Sequence, residues 1–109
     1  MQMEWYIYPL YVIAGSFLAN GVPHYVNGIS GSSFQSPFAS PPAVGESSPV
    51  INVMWGVANF VIGFLLLLGV GDFSFGLTID TAMVGVGMLG AGVGLAMHFG
   101  RVRGAYDQE

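Results

Sequence analysis

The longest apolar run covers residues 50–70, 21 positions without Asp, Glu, Lys, Arg or His. Thirteen of them are Leu, Ile, Val or Phe. A helix of about 20 apolar residues crosses the ~30 Å hydrocarbon layer of a bilayer. Side chains of this kind and number favour insertion by about 4 to 8 kcal/mol. Pro49 suits the first turn of such a helix, and Ser47 or Ser48 can cap it. Two weaker runs flank it. Residues 5–20 hold Pro9 near their start, and Trp5, Tyr6, Tyr8 and Tyr11 gather there as in an aromatic belt. The same segment also suits an interfacial helix lying on the membrane. Residues 81–100 lack Asp, Glu, Lys and Arg and are rich in Gly. Thr78 or Asp80 is a suitable N-cap for that run.

This pattern predicts an all-α fold: a single membrane domain, residues 1–109, built as an integral membrane bundle of three transmembrane helices. Residues 21–48 form a long Gly/Ser/Pro-rich loop between the first two helices. Its scattered Tyr25, Val26, Ile29, Phe34, Phe38 and Val44 predict an ordered loop packed on the helices, since a solvated linker needs no such residues. The short link over residues 71–80 predicts that the second and third helices are antiparallel neighbours. Three crossings place His24, Glu46, His98, Arg101 and Arg103 on one membrane face, and Glu4, Asp72 and Asp80 on the other. Both arginines follow the third run, so the positive-inside tendency predicts an inner (cell) membrane protein with its N-terminus out and C-terminus in.

Helical rotation aligns Asn52, Gly56, Asn59 and Gly63 within about 60° of arc. Small residues let backbones approach, and an Asn amide in hydrocarbon needs a partner, so this stripe should face protein. Leu65 to Leu68 should then face lipid. In the third run Gly87, Ala91, Gly94 and His98 align within about 40°, with Gly90 beside them. Gly90 and Gly94 make a GxxxG pair, and Gly85 and Gly92 lie opposite. Gly56, Gly63, Gly87, Gly90 and Gly94 are thus the expected helix-packing positions. Small residues on two sides of one helix suit a homo-oligomer or a larger membrane-protein partner.

Composition narrows the chemistry. The chain has 109 residues, of which 7% are charged, and a formal net charge of −4. Soluble domains carry about 25% charged residues. With two Arg and no Lys, nucleic acid is excluded as a partner. The absence of Cys removes disulfides, thiolate metal sites and a Cys nucleophile. The opening MQMEWYIY has an acid and no positive residue where a signal peptide would be basic.

The candidate polar site comprises His24, Asn27, Glu46, Asn52, Asn59 and His98. Two histidines and a carboxylate on one membrane face could hold a metal or perform acid–base chemistry. Their spacing matches no metal motif, so the metal question stays open and no cofactor is implied. The structural alternative makes His98 a helix C-terminal residue favoured by the dipole, His24 a loop residue bonded to backbone, and the Asn side chains pins between loop and helices. Asp80 reads as a cap at the interface rather than an intramembrane carboxylate. The stretch GVGMLGAGVG lacks a preceding strand and is no nucleotide loop. Ser32, Ser33 and Ser36 have no triad spacing.

The stretch PHYVNGISGSSFQSPFASPPAVGESSPVINVMWG, residues 23–56, resembles the signature region of a family of small uncharacterised prokaryotic multi-pass membrane proteins. That resemblance implies several membrane crossings and no activity. The chain differs from small multidrug transporters, which have four spans and a carboxylate within the first. The leading expectation is a non-enzymatic accessory or assembly subunit that uses the loop as its contact surface. The alternatives are a membrane-embedded metal-binding or acid–base enzyme using His24, His98 and Glu46, and a small oligomeric transporter or channel lined by Asn52, Asn59 and Asp80.

Overall fold

A computed structural model describes residues 4–104. In chain order its elements are α1 (Ile7–Ile29), β1 (Phe34–Gln35), β2 (Glu46–Ser47), α2 (Pro49–Gly69) and α3 (Ile79–Val102). The described chain is mostly helical, and α2 and α3 are each long and apolar enough to cross a membrane.

The first helix is longer than its hydrophobic run predicts. It continues past Asn20 and Gly21, keeps Pro23 inside, and ends at Ile29. Pro23 has no N–H and deprives a carbonyl of its helical donor, which normally ends a helix. Tertiary contact outweighs that signal here. Gly21 and Gly28 lie so close to α2 that a Cβ would come within 2.9 Å of Gly56 O and 2.7 Å of Pro49 O, respectively. Such approach is open only to residues without side chains. Two residues past Ile29, Gly31 has a φ of 77°, which suits the left-handed turn after a helix. Gly31 N donates to Gly28 O at 3.0 Å and Ser32 N to Asn27 O at 2.9 Å, closing a Schellman motif. The connecting loop therefore begins at residue 30, not 21, and Tyr25, Val26 and Ile29 belong to the helix.

Helix α2 starts where its caps predict. Ser48 Oγ accepts from Ile51 N at 3.3 Å, and Pro49 occupies the first turn. Asn52, Gly56, Asn59 and Gly63 form its buried stripe against α1. A Cβ on Gly56 would lie 2.7 Å from Tyr25 N, and one on Gly63 3.1 Å from Ala14 O. Leu65 and Leu68 point outward, but Leu67 turns inward to join Ile7, Tyr11, Ala14 and Val84 in the core. Tyr11 is accordingly a core residue, whereas Trp5 and Tyr6 remain exposed as a belt would require.

Helix α3 is capped by Thr78, whose hydroxyl accepts from Thr81 N at 3.2 Å. Asp80 instead accepts from Ser74 N at 3.0 Å and holds the preceding turn. The expected pairing of α2 with α3 does not occur. Each packs on α1, which lies between them, parallel to α3 and antiparallel to α2. The link between α2 and α3 crosses the N-terminal end of α1, where Phe73 meets Tyr11 edge to face at 5.2 Å. Glycines again decide the pairing, because Gly87 sits against Val12 O and Gly15 against Val84 O. Gly90 and Gly94 take no part in helix packing within the chain: a Cβ at either position would meet nothing within 4 Å, as at Gly85 and Gly92.

Thermal unfolding in detergent should report this packing. Gly87→Ala should cost about 1–3 kcal/mol, because its methyl has no room against Val12 O. Gly92→Ala should be neutral or stabilise by up to about 1 kcal/mol. Tyr11 Oη is buried without a hydrogen-bond partner among the described residues, so Tyr11→Phe should raise the unfolding temperature.

Candidate functional site

The polar residues gather where α1 ends, α2 begins and α3 ends. Helical spacing brings Asn20 and His24 onto one face of α1, and Asn52, Trp55 and Asn59 face them from α2. A two-residue antiparallel ladder, Phe34 with Ser47 and Gln35 with Glu46, closes the loop above them. Ser36 and Ser47 join their hydroxyls beneath that ladder.

Asn52 is the centre of the arrangement and is fully buried. Its Nδ2 faces the carbonyls of Phe34 at 3.2 Å, Ser47 at 3.1 Å and Ser48 at 3.1 Å. Its Oδ1 lies 2.8 Å from His24 Nδ1. The amide thus ties both strands and the α2 cap to α1. Asn59 lies farther along the same stripe, accepting from Asn20 Nδ2 at 2.9 Å and donating to Trp55 O at 2.8 Å.

Aromatic rings surround the His24 imidazole edge to face: Phe34 at 5.4 Å, Phe99 at 6.2 Å and Trp55 at 6.4 Å. Phe34 also meets Phe99 in a tilted ring contact at 4.7 Å and carries the Arg103 guanidinium 5.2 Å above its ring. Arg103 donates to Gln35 Oε1 at 3.2 Å, and Gln35 Nε2 donates to Glu46 Oε2 at 3.3 Å. His98 Nε2 lies 2.8 Å from Ala43 O, which ties α3 to the far side of the loop.

Two cavities meet here. A chamber of about 220 Å³ is lined by His24, His98, Gln35, Ser36, Trp55 and Phe99, among others. A groove of about 430 Å³ lies between α2 and α3 over α1, with Ser16, Phe17, Asn59, Ala91 and Gly94 in its walls. Asn20, Trp55 and Leu95 line both.

The six residues of the sequence-derived site are therefore divided. His24, Asn52 and His98 converge on the chamber, and Asn59 lines the adjoining groove. Glu46 is exposed on the outer side of the loop, away from the histidines. Asn27 turns back to Pro23 O at 2.7 Å and takes no part. The His24–His98–Glu46 grouping is thus not formed, and among the described residues no set of three His, Asp or Glu side chains is placed to hold a metal ion. Sequence reasoning missed Asn20, Gln35, Trp55 and Phe99. Asn20 was accessible in principle, standing four residues before His24 on the same helical face. Gln35 enters only through the register of the small ladder.

No known protein family, curated protein or solved structure matches the chain, so the site is read from its own geometry.

Asn52→Leu should leave the His24 Nδ1–H and the Phe34 and Ser47 carbonyls without their partner. We expect a loss of about 3 kcal/mol in detergent unfolding and rapid protease cleavage within residues 36–45. Asn59→Leu removes one interhelical hydrogen bond and should cost about 1 kcal/mol, with the loop still protected.

Proposed function

We propose that this chain is a small multi-pass integral membrane protein whose three helices all cross the bilayer, and that it serves as a non-enzymatic accessory or assembly subunit. The observation that carries this reading is an inverted distribution of polarity. The least exposed large side chains include Asn52 and Asn59, both 0% exposed, and His24 at 2%. Leu68 is 73% exposed and Leu89 71%, amid a continuous coat of outward Val, Ile, Leu, Phe and Met. Soluble proteins rarely expose apolar surface on that scale. In lipid the arrangement is the favourable one, because hydrocarbon covers the outside while the amides satisfy each other within.

A core helix of a soluble protein would be mostly buried. Here only 28% of the apolar stretch of α2 and 6% of that of α3 is buried. At 1.5 Å per residue the three helices are about 31 to 36 Å long, matched to a hydrocarbon layer of about 30 Å. Arg101 and Arg103 lie at the loop end of the bundle, and Asp72 and Asp80 at the other. By the positive-inside tendency the loop end faces the cytoplasm of an inner-membrane protein.

The accessory role rests on how the polar groups are used. Asn52, Gln35, Glu46 and Arg103 are engaged in holding the loop together and to the helices, and Asn59 joins α2 to α1. What the fold leaves unoccupied is packing surface: the small residues Gly85 and Gly92 on α3, and Phe38 and Val44 on the outside of the loop. These suit a neighbouring membrane helix, from a second copy or a larger partner.

The protein should pellet with membranes after alkaline extraction and need detergent to stay monodisperse; solubility in plain buffer would end this reading. Affinity capture from native membranes should retain a partner that is lost with Gly92→Leu or with Val44→Ser, while the unfolding temperature is unchanged. Equal capture by all variants would rule out these surfaces as the contact.

A further inference from the structure

The chamber beside His24 has a defined hydrogen-bonding character. Asn52 Nδ2 faces three carbonyls, so the atom turned toward His24 is the amide oxygen. An amide oxygen only accepts, and His24 Nδ1 must therefore carry the proton. The neutral ring then presents Nε2 as a bare lone pair. His24 is 2% exposed and lines the chamber, and its Nε2 has no hydrogen-bond partner among the described residues. The same logic makes His98 Nε2 the donor to Ala43 O.

A ligand for this chamber is a hydrogen-bond donor without charge. None of the residues lining it is an Arg, Lys, Asp or Glu. Arg103 is committed to Phe34 and Gln35, and Glu46 faces outward. An ammonium head would meet no carboxylate there, and an anionic head no arginine or lysine. The walls formed by Trp55, Phe99 and His24 suit a flat ring. The adjoining groove is almost wholly apolar and lies between two helices that barely touch each other, so a chain can enter it from the side.

We infer that chamber and groove together bind one amphiphile: an uncharged lipid whose phenolic hydroxyl donates to His24 Nε2 and whose alkyl or isoprenoid tail lies between α2 and α3. This inference rests on the membrane reading above. Ring stacking and the single hydroxyl select the head, and the groove accepts tails without detailed discrimination.

The probe is para-decylphenol, with para-decylanisole as the partner lacking a donor, added to the full chain in lipid nanodiscs. Nitrogen NMR of the imidazoles reads the contact directly. Para-decylphenol should shift His24 Nε2 saturably, and the anisole should bind at least about tenfold more weakly, as loss of one buried hydrogen bond implies. Gly94→Leu fills the groove from a position where added atoms meet nothing, so it should keep the unfolding temperature and weaken para-decylphenol at least about tenfold. Equal binding of phenol and anisole, no saturable shift, or unchanged affinity in Gly94→Leu would overturn the inference. So would a Zn²⁺ titration that shifts both histidines while the phenol leaves them unmoved. A protein that requires lipid yet binds no phenol defeats this inference alone; a protein monodisperse without surfactant defeats the membrane reading itself.

Discussion

Satisfying one buried amide organises this fold. Asn52 is held out of contact with solvent, and each of its polar atoms has to find a partner inside the protein. It does so by gripping three other segments at once, α1 through His24 and the two short strands through Phe34 and Ser47, together with the cap of its own helix through Ser48. A leucine there would allow the loop to drift and α1 to end early. The amide allows neither, because in a low-dielectric interior every unmade hydrogen bond is expensive. The continuation of α1 through Pro23, the seating of the loop and the proton position on His24 all follow from that requirement.

Glycine does the complementary work. Where Asn52 and Asn59 supply direction, Gly15, Gly21, Gly28, Gly56, Gly63 and Gly87 supply proximity, letting backbones meet without side chains between them. In the bilayer setting proposed above, apolar burial gives little drive for helices to associate, so close packing and a few hydrogen bonds must hold the bundle. These six glycines all lie at contacts made by α1, and this is why α1, which carries Asn20, His24 and Asn27 along its length, sits in the middle. Its neighbours keep apolar outer surfaces exposed. The gap left between them becomes the groove, and the loop roofs the groove's polar end to make the chamber.

The stripe of Asn52, Gly56, Asn59 and Gly63 was legible in the order of residues, because a period of 3.6 and the cost of an exposed amide in an apolar helix leave it only one place to face. The same reasoning finds no partner within the chain for Gly90 and Gly94. Their spacing matches a packing motif, but α1 meets α3 through Gly15 and the Gly87 turn, and Gly94 is left lining the groove. The end of α1 was misread for a similar reason. Asn20, Gly21 and Pro23 are local stop signals, and local signals yield when a longer helix satisfies Asn52 and seats Gly28 against Pro49. The site was half legible: His24 and His98 were identified as sharing one end, but Glu46 alternates to the outer face of a strand whose register no spacing reveals.

Sequence alone determined that the chain is mostly helical, that two of its helices are of membrane-crossing length and apolarity, and where α2 and α3 begin. An uncharged run of membrane length, few charges, Pro and Ser at a helix start, and Thr before another are statements about single segments, and hydropathy and capping act segment by segment. Tertiary structure decided which helix lies between the other two, where α1 stops, and which polar atoms around His24 are already bonded and which is left open to the chamber. Those outcomes depend on distances between residues far apart in the chain, where a missing Cβ or one amide proton chooses among arrangements that are otherwise equally apolar.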